Sequence, residues 1–261
     1  MTRRWFLLAM VLGAAPATAQ TVTLDTIRGV QPWPPHERFT FPRIGIPEQP
    51  RLAERIDRDL CVDFLGVDPD TATGSIFQGV WGDTVQAIPQ SLYSFSWACG
   101  QPLPEVLSIH LTGEWCAAYC EDFAVHYAYD LRNGQRLRFD SLFTPEGRKA
   151  VDDTLRTQWQ AAVAGQLRQI QDSLRVPGLS AEVRVAWQEA SEMYRQCVSE
   201  RSGMRPYVAD FEARGDGLRV WSARCSAHVN RHIDELGQVA IDLSYDRLRP
   251  SFIPEVCSLL K

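Results

Sequence analysis

Lysine is nearly absent: Lys149 and Lys261 are the only two in 261 residues, and arginine carries the rest of the positive charge. Basic residues as a whole are outnumbered, 27 to 32, by Asp and Glu. Such weak acidity disfavours nucleic acid and anionic membranes as partners and permits a basic protein. Long apolar runs are missing too, none reaching the roughly 20 residues that span a bilayer. No Gly-x-Ser-x-Gly elbow, Gly-rich phosphate loop or Cys-x-x-Cys pair occurs. Their absence removes the usual signatures of a serine hydrolase, a nucleotide-binding loop and a zinc ribbon. No repeat is present, and no cofactor is called for.

What is present begins at the N-terminus. Arg3 and Arg4 precede the apolar run Trp5–Leu12, and Ala17-Thr18-Ala19 follows as a small-x-small site. This is the order of a secretory signal, and it predicts cleavage after Ala19. The remaining chain would hold 25 basic against 32 acidic residues, moving the net charge from −5 to −7. It would keep all seven cysteines: Cys61, Cys99, Cys116, Cys120, Cys197, Cys225 and Cys257. In a periplasmic or secreted setting these read as disulfides with one thiol left over. Cys99 is expected to pair with Cys61, Cys197, Cys225 or Cys257, and the sequence does not choose among them.

Residues 20–45 carry Pro32, Pro34, Pro35 and Pro42 and read as an extended proline-rich leader with at most one strand, 38–44. A small N-terminal subdomain is expected over 46–90. In it Leu52, Ile56 and Leu60 recur at helical spacing, whereas 66–90 shows no long period.

A main domain is expected over 91–261, with the smaller unit packed against it. Leu107, Ile109 and Leu111 alternate with polar residues, as do Phe123, Val125, Tyr127, Tyr129 and Leu131. Period two marks half-buried antiparallel strands. Paired about Ala118, the two runs place their apolar sets on one face, with Cys116 opposite Cys120, His110 opposite His126 and Glu114 opposite Asp122. A one-residue slip would send one apolar set into water. The facing cysteines can then close a disulfide.

Asn133-Gly134 is a turn signal leading to a strand over 135–139. Thr144-Pro145-Glu146 opens a helix with cap, N1 proline and first-turn acid. Its stripe is Val151, Leu155, Trp159, Val163, Leu167, Ile170 and Leu174. A second helix spans 181–199, and strands return at 207–213, 218–223 and 239–243. Strands, helices and strands again predict an α+β fold, an antiparallel sheet with a long helix and a second helix packed on it.

The stretch Tyr129-Asp130-Leu131-Arg132-Asn133-Gly134-Gln135, then Leu142-Phe143 and the long helix, is followed by Gly217-Leu218-Arg219-Val220-Trp221 and by 239–248, VAIDLSYDRL. This order resembles the C-terminal extracytoplasmic domain of RsiV-type anti-sigma factors, a domain also found in some peptidoglycan deacetylases. The resemblance covers about residues 85–253, with 40–64 resembling the smaller domain that often precedes it. It implies a non-catalytic binding module of the cell envelope, recognising a lysozyme-like protein or peptidoglycan. Two departures are visible. The family's Gly-Ala-His-Pro-like loop is replaced by Cys116-Ala117-Ala118-Tyr119-Cys120. No membrane helix or sigma-binding segment is seen, so sigma-factor control is not carried over.

Two site readings follow. Trp115 and Tyr119 sit at the predicted hairpin tip, where aromatic rings serve as anchors. They belong to a wider aromatic set with Trp81, Tyr93, Trp97 and Tyr127, although strand-face aromatics ordinarily pack in a core. The rival reading is a metal-dependent hydrolase with His110, His126, Glu114 and Asp122 holding a zinc-like ion on the polar sheet face; its bland counterpart is a solvated or half-covered sheet face. His228 and His232, with Cys225 before them, form a weaker metal candidate.

Overall fold

The computed structural model describes residues 20–31, 36–81, 91–116 and 119–260. The signal segment and its cleavage site lie outside the described residues, as do Pro32, Pro34 and Pro35. The fold is α+β, with antiparallel sheets and helices.

Strands β1 (Thr23–Val30) and β2 (Arg38–Gly45) form a two-stranded ribbon. This differs from the leader expected to hold one strand at most. The side chains of β1 are mostly exposed, so it shows no apolar alternation and is held by its ladder to β2. Helix α1 (Pro50–Leu60) follows, burying Leu52, Ala53, Ile56 and Leu60, and ends in a π turn over Cys61–Leu65.

A four-stranded sheet then runs β3 (Ser91–Leu103), β4 (Val106–Cys116), β5 (Cys120–Asp130) and β6 (Gln135–Arg136), in that order. β4 and β5 pair in the register read from the sequence, Val106 opposite Asp130 through to Cys116 opposite Cys120. One face buries Leu107, Ile109, Leu111, Tyr127 and Tyr129 against α1 and β2, in a core that also takes Phe77 and Trp81. Burying two phenols demands acceptors: Tyr127 donates to Asp63 at 2.9 Å and Tyr129 to Asp59 at 2.9 Å. β6 stops after two residues, short of the expected strand over 135–139. Leu137 still donates to the Ala128 carbonyl, but the chain then winds into a 3-10 turn that buries Phe139.

Helix α2 (Pro145–Leu174) is capped by Thr144, whose side chain accepts from the Gly147 amide at 3.0 Å. A Cβ on Gly147 would lie 2.2 Å from the Ser251 carbonyl oxygen, so only glycine allows the C-terminal segment this close. Val151, Leu155, Trp159, Val163 and Ile170 are buried, with Leu167 and Leu174 packed at the margin.

Helix α3 (Ala181–Arg201) buries Ala190, Tyr194 and Cys197. Both helices cover one face of a three-stranded sheet, β7 (Val208–Ala213), β8 (Gly217–Ser222) and β9 (Ala240–Ser244). Phe211, Val220 and Ile241 point into that second core. The chain closes with α4 (Tyr245–Leu248) and α5 (Pro254–Leu259). No helix among the described residues is long and apolar enough to cross a membrane.

Cys116 is joined to Cys120 and Cys197 to Cys225. Cys61, Cys99 and Cys257 are free. This corrects the expectation of a Cys99 bridge and a single leftover thiol. Burial, with the charge of Asp57 adding to it, pushes the Cys61 and Cys99 thiols up to about 12, so neither is a thiolate at neutral pH.

Candidate functional site

The end of the β4–β5 hairpin is built by pairing and a crosslink. Opposed strands bring Glu114 to Asp122 and Trp115 to Glu121, and the Cys116–Cys120 bridge closes the ladder. β3 adds Leu92 beside Trp115 and a bulge between Leu92 and Ser94 that turns Tyr93 outward. Tyr93 is 56% exposed and Tyr119 is 65% exposed. Trp115 is different: it is half-buried and packs on the N-terminal core. Of the remaining aromatics, Trp81 and Tyr127 are buried and Trp97 donates to the Thr40 hydroxyl at 3.2 Å. The exposed ring pair at this end is therefore Tyr93 and Tyr119, not the Trp115 and Tyr119 expected from the hairpin tip. Glu114 and Asp122 give the end acidic character, and Glu121 meets Arg231 at 2.6 Å.

The polar face of the same hairpin is not open to solvent around the histidines. The second sheet covers it there. The rings of His110 and His126 stack at 4.1 Å between centroids, tilted by 15°, and Trp221 of β8 stacks on His126 at 4.4 Å and 10°. Asp210 of β7 fixes this stack: one of its oxygens accepts from the His126 amide at 2.9 Å and from ring Nδ1 at 2.7 Å. Burial pushes the His110 imidazole below its usual range, the charge of His126 adds to that, and Glu212 and Asp210 oppose it.

An imidazole binds a metal through a lone pair in the plane of its ring. Two rings stacked face to face point those lone pairs side by side and not at a common ion. His110, His126, Glu114 and Asp122 are thus neighbours in register but not a converging donor set. Among the described residues, the one group of three donors within 4.8 Å is Glu114, Cys116 and Cys120. Its two sulfurs are bonded to each other, so it offers no thiolate. The Cys225 candidate is likewise closed by its bridge to Cys197, and the side chain of His228 lies outside the described residues.

A further cavity of about 340 Å³ lies between α2, the end of α3 and the second sheet. Its members, Leu155 to Ile241, come from separate segments, and no local motif marks them. The signal available was the cluster of arginines at 201 and 205 beside an apolar helix stripe.

Comparison with known proteins gives a fold and no more. No family model matches the chain, and no curated protein does. Two of the solved structures that resemble it are DUF3298 family proteins. One is from Bacteroides fragilis, 12% identical, covering 93% of this chain and 98% of that one, with a TM-score of 0.53. The other is a DUF3298 family protein from Pseudomonas aeruginosa, 12% identical, covering 91% and 96%, with a TM-score of 0.49. At 12% identity the likeness to the Bacteroides fragilis protein is one of fold alone.

Proposed function

We propose that this chain is an exported, non-catalytic binding module of the cell envelope, and that the hairpin end recognises a basic protein of the lysozyme type. The observation that carries the reading is the pair of exposed tyrosines, Tyr93 and Tyr119, set beside Glu114 and Asp122 on a disulfide-closed strand end. Tyrosine anchors supply large contact area with little conformational entropy to lose. The Cys116–Cys120 bridge beside Tyr119 and the β3 bulge at Tyr93 fix the backbone that carries the two rings before the partner arrives, which lowers the cost of association. Carboxylates around them suit a cationic partner and speed its approach. The two disulfides fit an oxidising extracytoplasmic compartment. The sequence resemblance to RsiV-type domains supports the same class of partner.

The test is titration of the purified chain with lysozyme, and in parallel with peptidoglycan. Saturable lysozyme binding is expected, weakened about tenfold or more by Tyr93→Ser with Tyr119→Ser, and weakened again at high salt. Binding to peptidoglycan alone would replace the protein partner with a wall glycan. Unchanged lysozyme affinity in the double variant would remove the hairpin end from the reading.

A further inference from the structure

The cavity between α2, α3 and the second sheet has an apolar interior and a cationic rim. Leu155 and Trp159 of α2 meet Val220 and Ile241 of the sheet to form its floor, and all four are buried. Met204 and Tyr207, 61% and 68% exposed, stand at its mouth. Arg156, Arg201 and Arg205 also line it.

The three arginines are not equivalent. Arg205 is neutralised by Asp152 at 3.1 Å and Asp140 at 3.2 Å. Arg156 meets Asp153 at 2.8 Å through one terminal nitrogen, but its Nε is buried with no hydrogen-bond partner among the described residues. Arg201 has no ion pair among the described residues. Its terminal nitrogens donate to the carbonyls of Ala223 at 3.0 Å and Arg224 at 2.6 Å, and its guanidinium lies 5.5 Å from the centre of the Trp159 ring. Burial lowers its pKa, with the neighbouring Glu200 pulling weakly the other way. A half-buried cation satisfied by neutral dipoles still gains from an anion.

The frame around Arg201 is covalently fixed. The Cys197–Cys225 bridge sits one helical turn before Arg201 on α3 and one residue beyond Arg224 on the other side. The carbonyls that orient the guanidinium are therefore tied to the helix that carries it. Such a preorganised donor beside an apolar hole is the common form of a small-molecule site.

We infer that this cavity binds a small amphiphilic carboxylate, its apolar body on Trp159, Val220 and Ile241 and its head on Arg201 with Arg156. At about 30 Å³ for a group the size of a water molecule, the volume takes roughly ten methylene-sized groups, which is a medium-chain or single-ring acid. The site uses none of the hairpin-end residues, so its failure would leave the proposed partner binding untouched.

The experiment is calorimetric titration of the purified, oxidised chain with decanoate and with decanol as the uncharged control. Decanoate is expected to bind at one site, and Arg201→Gln to weaken it about tenfold or more while leaving decanol unchanged. Val220→Phe, which fills the floor, is expected to abolish both. Absence of decanoate binding at millimolar concentration, or decanol binding as tightly as decanoate, would overturn the inference on the unaltered chain alone. Equal decanoate affinity in a folded Arg201→Gln or Val220→Phe variant would overturn it as well.

Discussion

Asp57 lies on α1 where the helix packs on β2, and one of its oxygens accepts the Ile44 amide at 2.8 Å. Burial raises its pKa from 3.8 to about 6, with the Ile44 hydrogen bond and Arg43 working the other way. The sign of the consequence follows from linkage. Below about pH 4 the carboxyl is protonated in both folded and unfolded chains and contributes nothing. Between about 4 and 6 the unfolded chain ionises first, so stability falls as pH rises. Above 6 both forms are ionised and the penalty is complete. At 1.36 kcal/mol per pKa unit, a rise from 3.8 to about 6 costs about 3 kcal/mol at neutral pH.

Asp57→Asn keeps an acceptor for the Ile44 amide and removes the charge. It should therefore be more stable than the parent by up to about 3 kcal/mol at pH 7.5, with the difference vanishing near pH 3.5. Urea unfolding followed by tryptophan fluorescence at the two pH values measures it. A variant no more stable at pH 7.5, or one shifted equally at both pH values, would refute the argument. The position also bears on the free thiols, because the Asp57 charge contributes to the raised pKa of both Cys61 and Cys99. Asp57→Asn should make those thiols slightly more acidic, read by their rate of alkylation in the folded state.

Two further outcomes are expected. His110 has a folded pKa below its usual 6.5, so the unfolded chain binds its proton first and stability is lost as pH falls through 6.5. His110→Phe, which keeps a ring on the stack, should gain stability relative to the parent as pH falls from 7.5 to 5; a difference between the two proteins that does not change with pH would exclude this contribution of His110. The Cys197–Cys225 bridge spans a separation of 28 residues. Its removal by Cys197→Ser with Cys225→Ser should cost about 3 to 4 kcal/mol by loop closure, measured by urea unfolding of both oxidised proteins, and it should also weaken decanoate.

The β4–β5 register was readable from the chain because alternation with one buried face tolerates no slip. Leu111, Tyr127 and their neighbours specify both strands and the facing of His110 to His126. The cap at Thr144 and the α2 stripe were equally readable, since cap and periodicity are local. β3 was harder: Phe95, Trp97 and Cys99 alternate with Ser94, Ser96 and Ala98, but Gly100 and Pro102 interrupt the strand and two bulges shift its pairing. β1 left no apolar signature, because a ribbon strand with mostly exposed side chains is held by backbone hydrogen bonds that any residue can make.

The site followed the same division. Sequence alone determined that Glu114 faces Asp122 and that the hairpin end is aromatic and acidic, because cross-strand neighbours follow from register. Only the tertiary structure decided which rings stay exposed there: Trp115 turns to the core, and the β3 bulge brings out Tyr93. It alone placed Trp221 and Asp210, 84 residues beyond His126 in the case of Asp210, over a face that the hairpin by itself leaves wet. The apolar cavity belongs to the same class, for α2, α3 and the second sheet each contribute a few side chains. Local pattern records the preferences of one segment, whereas the packing of distant segments sets which groups lose water, meet a partner or leave a hole.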